Sequence, residues 1–135
     1  MTLDFTGRSA LITGAASGIG AACARWLDAQ GIARLILVDR DAAALEALDL
    51  ACACERVTGD VADPALWHGL ALGQLDHAVI NAGIAAGGPI AELDFAEWRR
   101  VMAVNLIRRA GLRERLRRRL SGRGGSDRCA ALRAG

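Results

Sequence analysis

The run Thr13-Gly14-Ala15-Ala16-Ser17-Gly18-Ile19-Gly20 joins a short apolar segment, Ser9–Thr13, to a stretch with helical spacing. Glycines at such a join allow a tight turn. They also let a pyrophosphate approach bare backbone at a helix N-terminus, where N–H groups lack partners and the helix dipole favours negative charge. A glycine-rich turn without a ligand has the same composition, so the loop alone decides little. Asp39 adds to it, closing the next apolar run, Leu35–Asp39, 19 residues past Gly20. An acid there can accept from both hydroxyls of an adenosine ribose and would repel a 2′-phosphate. Loop and acid together read as a dinucleotide site that favours NAD over NADP. Two features compete with this: Arg40 can accommodate a 2′-phosphate, and Asp39 could serve instead as the cap of the next helix.

These residues need a scaffold, and the periodicity supplies one. Ile19, Ala22, Cys23, Trp26 and Leu27 recur at helical spacing, with Gly31 as the closing cap. The apolar run at Leu35 has no alternation, which predicts a strand covered on both faces. Helix is expected from Asp41 to about Leu50, a strand at Cys52–Val57, a short helix from Pro64 to about Leu72 and a strand at His77–Asn81. After a Gly/Pro loop at Ala85–Pro89, Asp94-Phe-Ala-Glu97 has capping-box spacing. The helix it opens carries Phe95, Trp98, Val101, Met102, Asn105 and Leu106 on one inward face. Alternation of strand and helix predicts an open, doubly wound α/β fold of Rossmann type, three layers deep. Four parallel strands in the order 3-2-1-4 place a ligand at their carboxyl ends.

At this point the sequence resembles the classical short-chain dehydrogenase/reductase family. The glycine loop, Asp60-Val61, Asn81-Ala82-Gly83 and Val104-Asn105-Leu106 match its motifs in order, over roughly residues 5–107. The resemblance implies an oxidoreductase that moves hydride between NAD(H) and a small alcohol or carbonyl substrate, commonly as a homo-oligomer. It implies that Gly14, Gly18, Ile19 and Gly20 wrap the pyrophosphate, and Ser17 and Arg40 are counted with them as cofactor-binding residues. Asp39 would hold the ribose, Asp60 and Val61 would meet the adenine, and Asn81, Ala82 and Gly83 would line the cofactor. For Asn81 a bond between neighbouring strands is compatible with that role. Asn105 matches a family residue that interrupts its helix and holds a water in a proton relay; a polar residue satisfied by backbone is the alternative.

The family's proton chemistry rests on a later Ser, Tyr and Lys, because a phenol with pKa near 10 needs a neighbouring cation to work near neutrality. This sequence contains no Tyr and no Lys, and Ser121 and Ser126 lack the matching context. The resemblance therefore carries a cofactor part, residues 1–107, without catalytic residues beyond Asn105. Residues 1–107 hold seven arginines against thirteen acids, a formal charge of −6; residues 108–135 hold ten against two, +8. Three explanations of the Arg-rich segment stand open. It could be a frameshift product that truncates the dehydrogenase, a basic arm with a Leu112, Leu116, Leu120 stripe, or a solvated extension of the preceding helix. Nucleic acid is not the expected partner.

The remaining features are bland. The hydrophobic fraction of 53% is that of a globular chain. No apolar run approaches the roughly 20 residues of a membrane span, and Met1–Phe5 resembles no secretory signal. The expected location is cytoplasmic, with Cys23, Cys52, Cys54 and Cys129 reduced. Cys52 and Cys54 alternate along a strand, but nothing completes a four-ligand set, so core cysteines and no metal are expected. His68 and His77 read as surface and strand-edge residues, and Trp26, Trp67 and Trp98 as packing residues.

Overall fold

The structure, a computed structural model, describes residues 3–89, 92 and 94–107. The Arg-rich segment, its leucine stripe and Cys129 lie outside the described residues. Four strands, β1 (Ser9–Thr13), β2 (Arg34–Asp39), β3 (Ala53–Thr58) and β4 (His77–Ile80), form one sheet in the order β3-β2-β1-β4. All three pairings are parallel. Helices α1 (Gly18–Ala29), α2 (Ala42–Glu46), α3 (Pro64–Gly69) and α4 (Phe95–Met102) alternate with them, and a π-helical turn, Ala103–Ile107, continues α4.

The two central strands are apolar through their middles, residues 10–12 and 35–38, because each face has its own cover. Successive side chains alternate across a strand. Ala10, Ile12, Leu35 and Leu37 therefore pack toward Ala21, Ala24 and Leu27 of α1 and Leu45 of α2. Leu11, Ile36, Val38, Ala78 and Ile80 pack toward Trp67 of α3 and Val104. Sheet and flanking helices make the three expected layers.

Helix α1 corrects the expected face. Its buried residues are Gly20, Ala21, Ala24 and Leu27, while Ile19 and Trp26 stand half exposed. Small residues let the helix lie close on the sheet, and the larger ones turn outward; Trp26 meets the Phe5 ring edge-on at 5.4 Å. The helix closes as expected at Gly31, whose φ of +78° suits glycine. Gly31 N–H donates to Asp28 O and Ile32 N–H to Leu27 O, the Schellman pair.

Other boundaries move for tertiary reasons. α2 stops at Glu46 instead of reaching Leu50. The Arg56 guanidinium takes the carbonyls of Leu45 and Leu48, at 2.9 and 2.7 Å, and Asp28 takes the N–H groups of Ala51 and Cys52. Its N-cap is Asp41, not Asp39. α3 ends at Gly69, short of Leu72. β3 lies one residue later than expected, and β4 stops before Asn81. Asp94 caps α4 through Ala96 N–H, not Glu97 N–H, and no capping box closes among the described residues.

The inward face expected of α4 is also corrected. None of Phe95–Met102 is buried, and Phe95, Trp98 and Leu106 are about half exposed or more. Phe95 and Trp98 stack at 5.7 Å with the Arg99 guanidinium over Phe95. Val101, Met102 and Asn105 are partly buried, and Val104 reaches the core. No helix of the described residues is long and apolar enough to cross a membrane. Cys23, Cys52 and Cys54 are free thiols, partly rather than fully buried.

At the other end of the sheet, Ser9 N–H and hydroxyl hold Asp76, with Arg8 beside it. Burial raises the Asp76 carboxyl, but those partners outweigh it and leave it below its ordinary value. His77, half-buried with its ring 5.3 Å from that of Phe5, is shifted down by burial; Asp76 opposes the shift and Arg8 adds to it. A depressed histidine folds as the neutral form. Its contribution to stability is complete above the unfolded value near 6.5 and is lost as pH falls toward and through the folded value. Wild type should therefore lose urea midpoint between about pH 7.5 and about pH 5, and His77→Gln should lose less. Equal losses in the two proteins would remove His77 from the account.

Candidate functional site

The carboxyl end of β1 is where the predicted residues meet. Gly14 leaves the strand with φ of +66°, and the N–H groups of Gly14 and Ala15 both reach Val38 O, at 2.8 and 3.2 Å. Ala16 N–H donates to Asp39 Oδ2 at 2.9 Å. From the opposite side, Asn81 Nδ2 donates to Gly14 O at 3.3 Å. The buried Thr13 hydroxyl oxygen accepts from the N–H groups of Asn81 and Ala82, both at 3.1 Å. The loop is thus strapped to β2 on one side and to the end of β4 on the other.

The three motif glycines do different work. A Cβ on Gly14 would lie 2.9 Å from Ala82 Cα, and one on Gly20 would lie 1.9 Å from Gly14 O. Both are positions where backbone packs on backbone. A Cβ on Gly18 would meet nothing within 4 Å, although φ there is +51°. Gly18 leaves space on the cavity side of the loop. Ser17 holds the N-cap position of α1 in extended conformation, yet its hydroxyl caps nothing. The first turn of a helix has N–H groups without intrahelical acceptors, and here that turn borders the cavity.

The cavity measures about 870 Å³. Gly14, Ser17, Gly18, Ile19, Asp39, Arg40, Asp60, Val61, Asn81, Ala82, Gly83 and Asn105 line it. Gly20 does not; it packs beneath the loop. Asp39 also accepts from Arg40 N–H and Asp41 N–H through Oδ1, so three backbone donors share its carboxylate. Arg40 is exposed and forms no ion pair among the described residues. Asp60 Oδ1 accepts from Ala62 N–H at 2.8 Å, fixing the turn that presents Val61.

Asn105 lies in the π-helical turn, where its amide clamps Ile84. Nδ2 donates to Ile84 O at 2.8 Å, and Oδ1 accepts from Ile84 N–H at 2.9 Å. The side chain is satisfied by backbone, one of the two readings that its sequence position left open. Gly83 lies in the bend so held; a Cβ there would sit 3.4 Å from Asn105 Oδ1.

Val104 and Leu106 of the Val104-Asn105-Leu106 motif and Ala85 of the loop also line the cavity, as do Gly59 and Ile84, which were not singled out from sequence. Thr13 was missed in a different way. A hydroxyl at the carboxyl end of the strand was the available signal, but its partners lie 68 and 69 residues away.

The family model described as short chain dehydrogenase matches residues 8–108. Galactitol 2-dehydrogenase (L-tagatose-forming) of Cereibacter sphaeroides is 44% identical over 108 residues, covering 74% of this chain and 42% of that protein. L-sorbose reductase from Gluconobacter frateurii, complexed with NADPH and L-sorbose, superposes with a TM-score of 0.81 at 27% identity, over 93% of this chain and 52% of that one. A short-chain dehydrogenase/reductase from Burkholderia phymatum in complex with NAD gives 0.78 at 30% identity, over 88% and 46%. The chain spans less than half the length of curated relatives such as these, 42–46% for the first three.

The glycines separate by stability. Gly20→Ala drives a methyl into the Gly14 carbonyl, which cannot move without breaking its bond from Asn81 Nδ2. It should cost about 2 kcal/mol or more in urea unfolding, in the range of overpacked sites. Gly18→Ala meets open space and should cost only the left-handed penalty, about 1–2 kcal/mol. A Gly18 variant less stable than the Gly20 variant would contradict this division.

Proposed function

The chain belongs to the short-chain dehydrogenase family, and on that premise we propose that its cavity holds NAD(H) for hydride exchange with an alcohol or carbonyl group. The observation that carries the proposal is Gly18. Its missing Cβ leaves backbone open to the cavity at the first turn of α1, a cradle that a side chain would fill. In this reading Gly14 and Gly20 set the loop, and the N–H groups around Ser17, Gly18 and Ile19 receive the pyrophosphate. Asp60 and Val61 border the adenine, and Asn81, Ala82 and Gly83 line the nicotinamide half. The Asn105 clamp on Ile84 positions that bend. Bound there, the nicotinamide ring would supply the hydride acceptor or donor.

NAD is favoured over NADP by Asp39. A carboxylate has about four lone-pair sites, and three backbone N–H groups already use it. A ribose hydroxyl can take what remains on Oδ2, while a 2′-phosphate would meet the carboxylate's charge. Arg40 at the rim lessens the penalty without removing it. The free thiols fit a reducing cytoplasm, the location we propose.

The 135-residue sequence has no Tyr and no Lys. We therefore expect cofactor binding without turnover. Titrated with NADH, the chain should enhance nicotinamide fluorescence, with weaker binding of NADPH. The signal should persist from about 50 to about 200 mM salt, where binding through the arginine segment would collapse. Gly18→Val should abolish it. Binding unchanged in Gly18→Val would move the cofactor out of this cavity, and NAD-dependent oxidation of any secondary alcohol would overturn the inactive reading.

The family match stops at residue 108, where acid-rich composition gives way to arginine. We read residues 108–135 as an out-of-frame continuation of the dehydrogenase. Translating the DNA beyond the Leu106 codon in three frames should reveal a Ser-bearing strand followed by Tyr-x-x-x-Lys. Its absence from all frames would make the basic segment native and favour a non-catalytic nucleotide-binding module.

A further inference from the structure

Away from the cavity, the β3 edge of the sheet carries two thiols that the proposed function does not use. Cys52 directly precedes β3 and Cys54 is its second residue. Residues two apart on a strand share a face, and both border the apolar cluster under α1 and α2. They are half-buried, not sealed in the core, and their sulfurs lie 3.7 Å apart. Among the described residues β3 pairs only with β2, so the pair sits at a sheet edge.

We propose that Cys52 and Cys54 chelate a soft divalent cation of the zinc or cadmium type through both sulfurs, with solvent completing the coordination. Two bonds of about 2.3 Å at a tetrahedral centre place their sulfurs about 3.8 Å apart. The pair needs almost no rearrangement to meet that spacing. A disulfide would need its sulfurs at about 2.05 Å and its Cβ atoms at about 3.8 Å. Ala53 and Cys54 are held in register with Arg34 and Leu35, which opposes such a closure.

Charge selects a cation. The Asp28 carboxylate accepts from Ala51 N–H at 3.0 Å and Cys52 N–H at 2.8 Å, which fixes a negative group beside the Cys52 sulfur. A bound metal ion displaces a thiol proton outright. In the binding step two S–H bonds break, two metal–sulfur bonds form and two protons pass to solvent, with no change in oxidation state. Among the described residues no cluster of three His, Cys, Asp or Glu ligands exists. The site is therefore open and exchangeable, unlike a closed structural zinc centre.

The test is a cadmium titration of the full chain carrying Cys23→Ser and Cys129→Ser, reduced with a phosphine. Only Cys52 and Cys54 then remain as thiols. The ultraviolet sulfur-to-cadmium charge-transfer band should rise to saturation at one ion per chain, with acid released into the buffer. Adding Cys52→Ser or Cys54→Ser should remove it. Absence of the band from the folded double variant, or its persistence after either further substitution, would overturn the chelate.

Discussion

Two backbone N–H groups, those of Gly14 and Ala15, converge on the single carbonyl of Val38, and the cofactor end of the sheet is arranged around that crossing. Each such bond contributes about 1 kcal/mol net. Their importance lies in sharing one short segment. Asp39 ties Ala16, Asn81 ties Gly14, and Thr13 ties Asn81 and Ala82. Displacing the loop would break these bonds together, because low-dielectric networks stand or fall as units. The glycines follow from the crossing: there is no room for a Cβ at Gly14 or Gly20 once the strands and α1 meet there.

A second constraint acts at the far wall. Asn105 spends both halves of its amide on Ile84, so the bend after β4 and the turn after α4 are fixed to each other. That contact brings Val104 into the core and Leu106 to the cavity. The rest of α4 gains little from it. Phe95 and Trp98 remain outside and find each other, which shelters part of their area without burying it.

The opposite end of the sheet is held together by side chains. Ser9, Asp76 and Arg8 close the amino ends of β1 and β4, and Asp28 and Arg56 tie down the segment between α2 and β3. Charged side chains there are spent on backbone groups that irregular chain would otherwise leave without partners.

By itself the sequence determined the features whose energy lies within a few residues. The apolar runs at Leu11 and Ile36 require cover on both faces, the glycines at 14, 18 and 20 permit one kind of loop, and Asp94 caps the helix that follows it. The cavity residues were legible because most of them belong to such local motifs. Tertiary structure decided the rest. Periodicity suggested Ile19 and Trp26 for the buried stripe of α1, but close packing on the sheet selected Ala21 and Ala24. The end of α2, the hydroxyl of Thr13 and the clamp of Asn105 depend on partners 8 to 69 residues away. A side chain's type shows that it can make such a bond, but only the folded backbone brings the other half within reach.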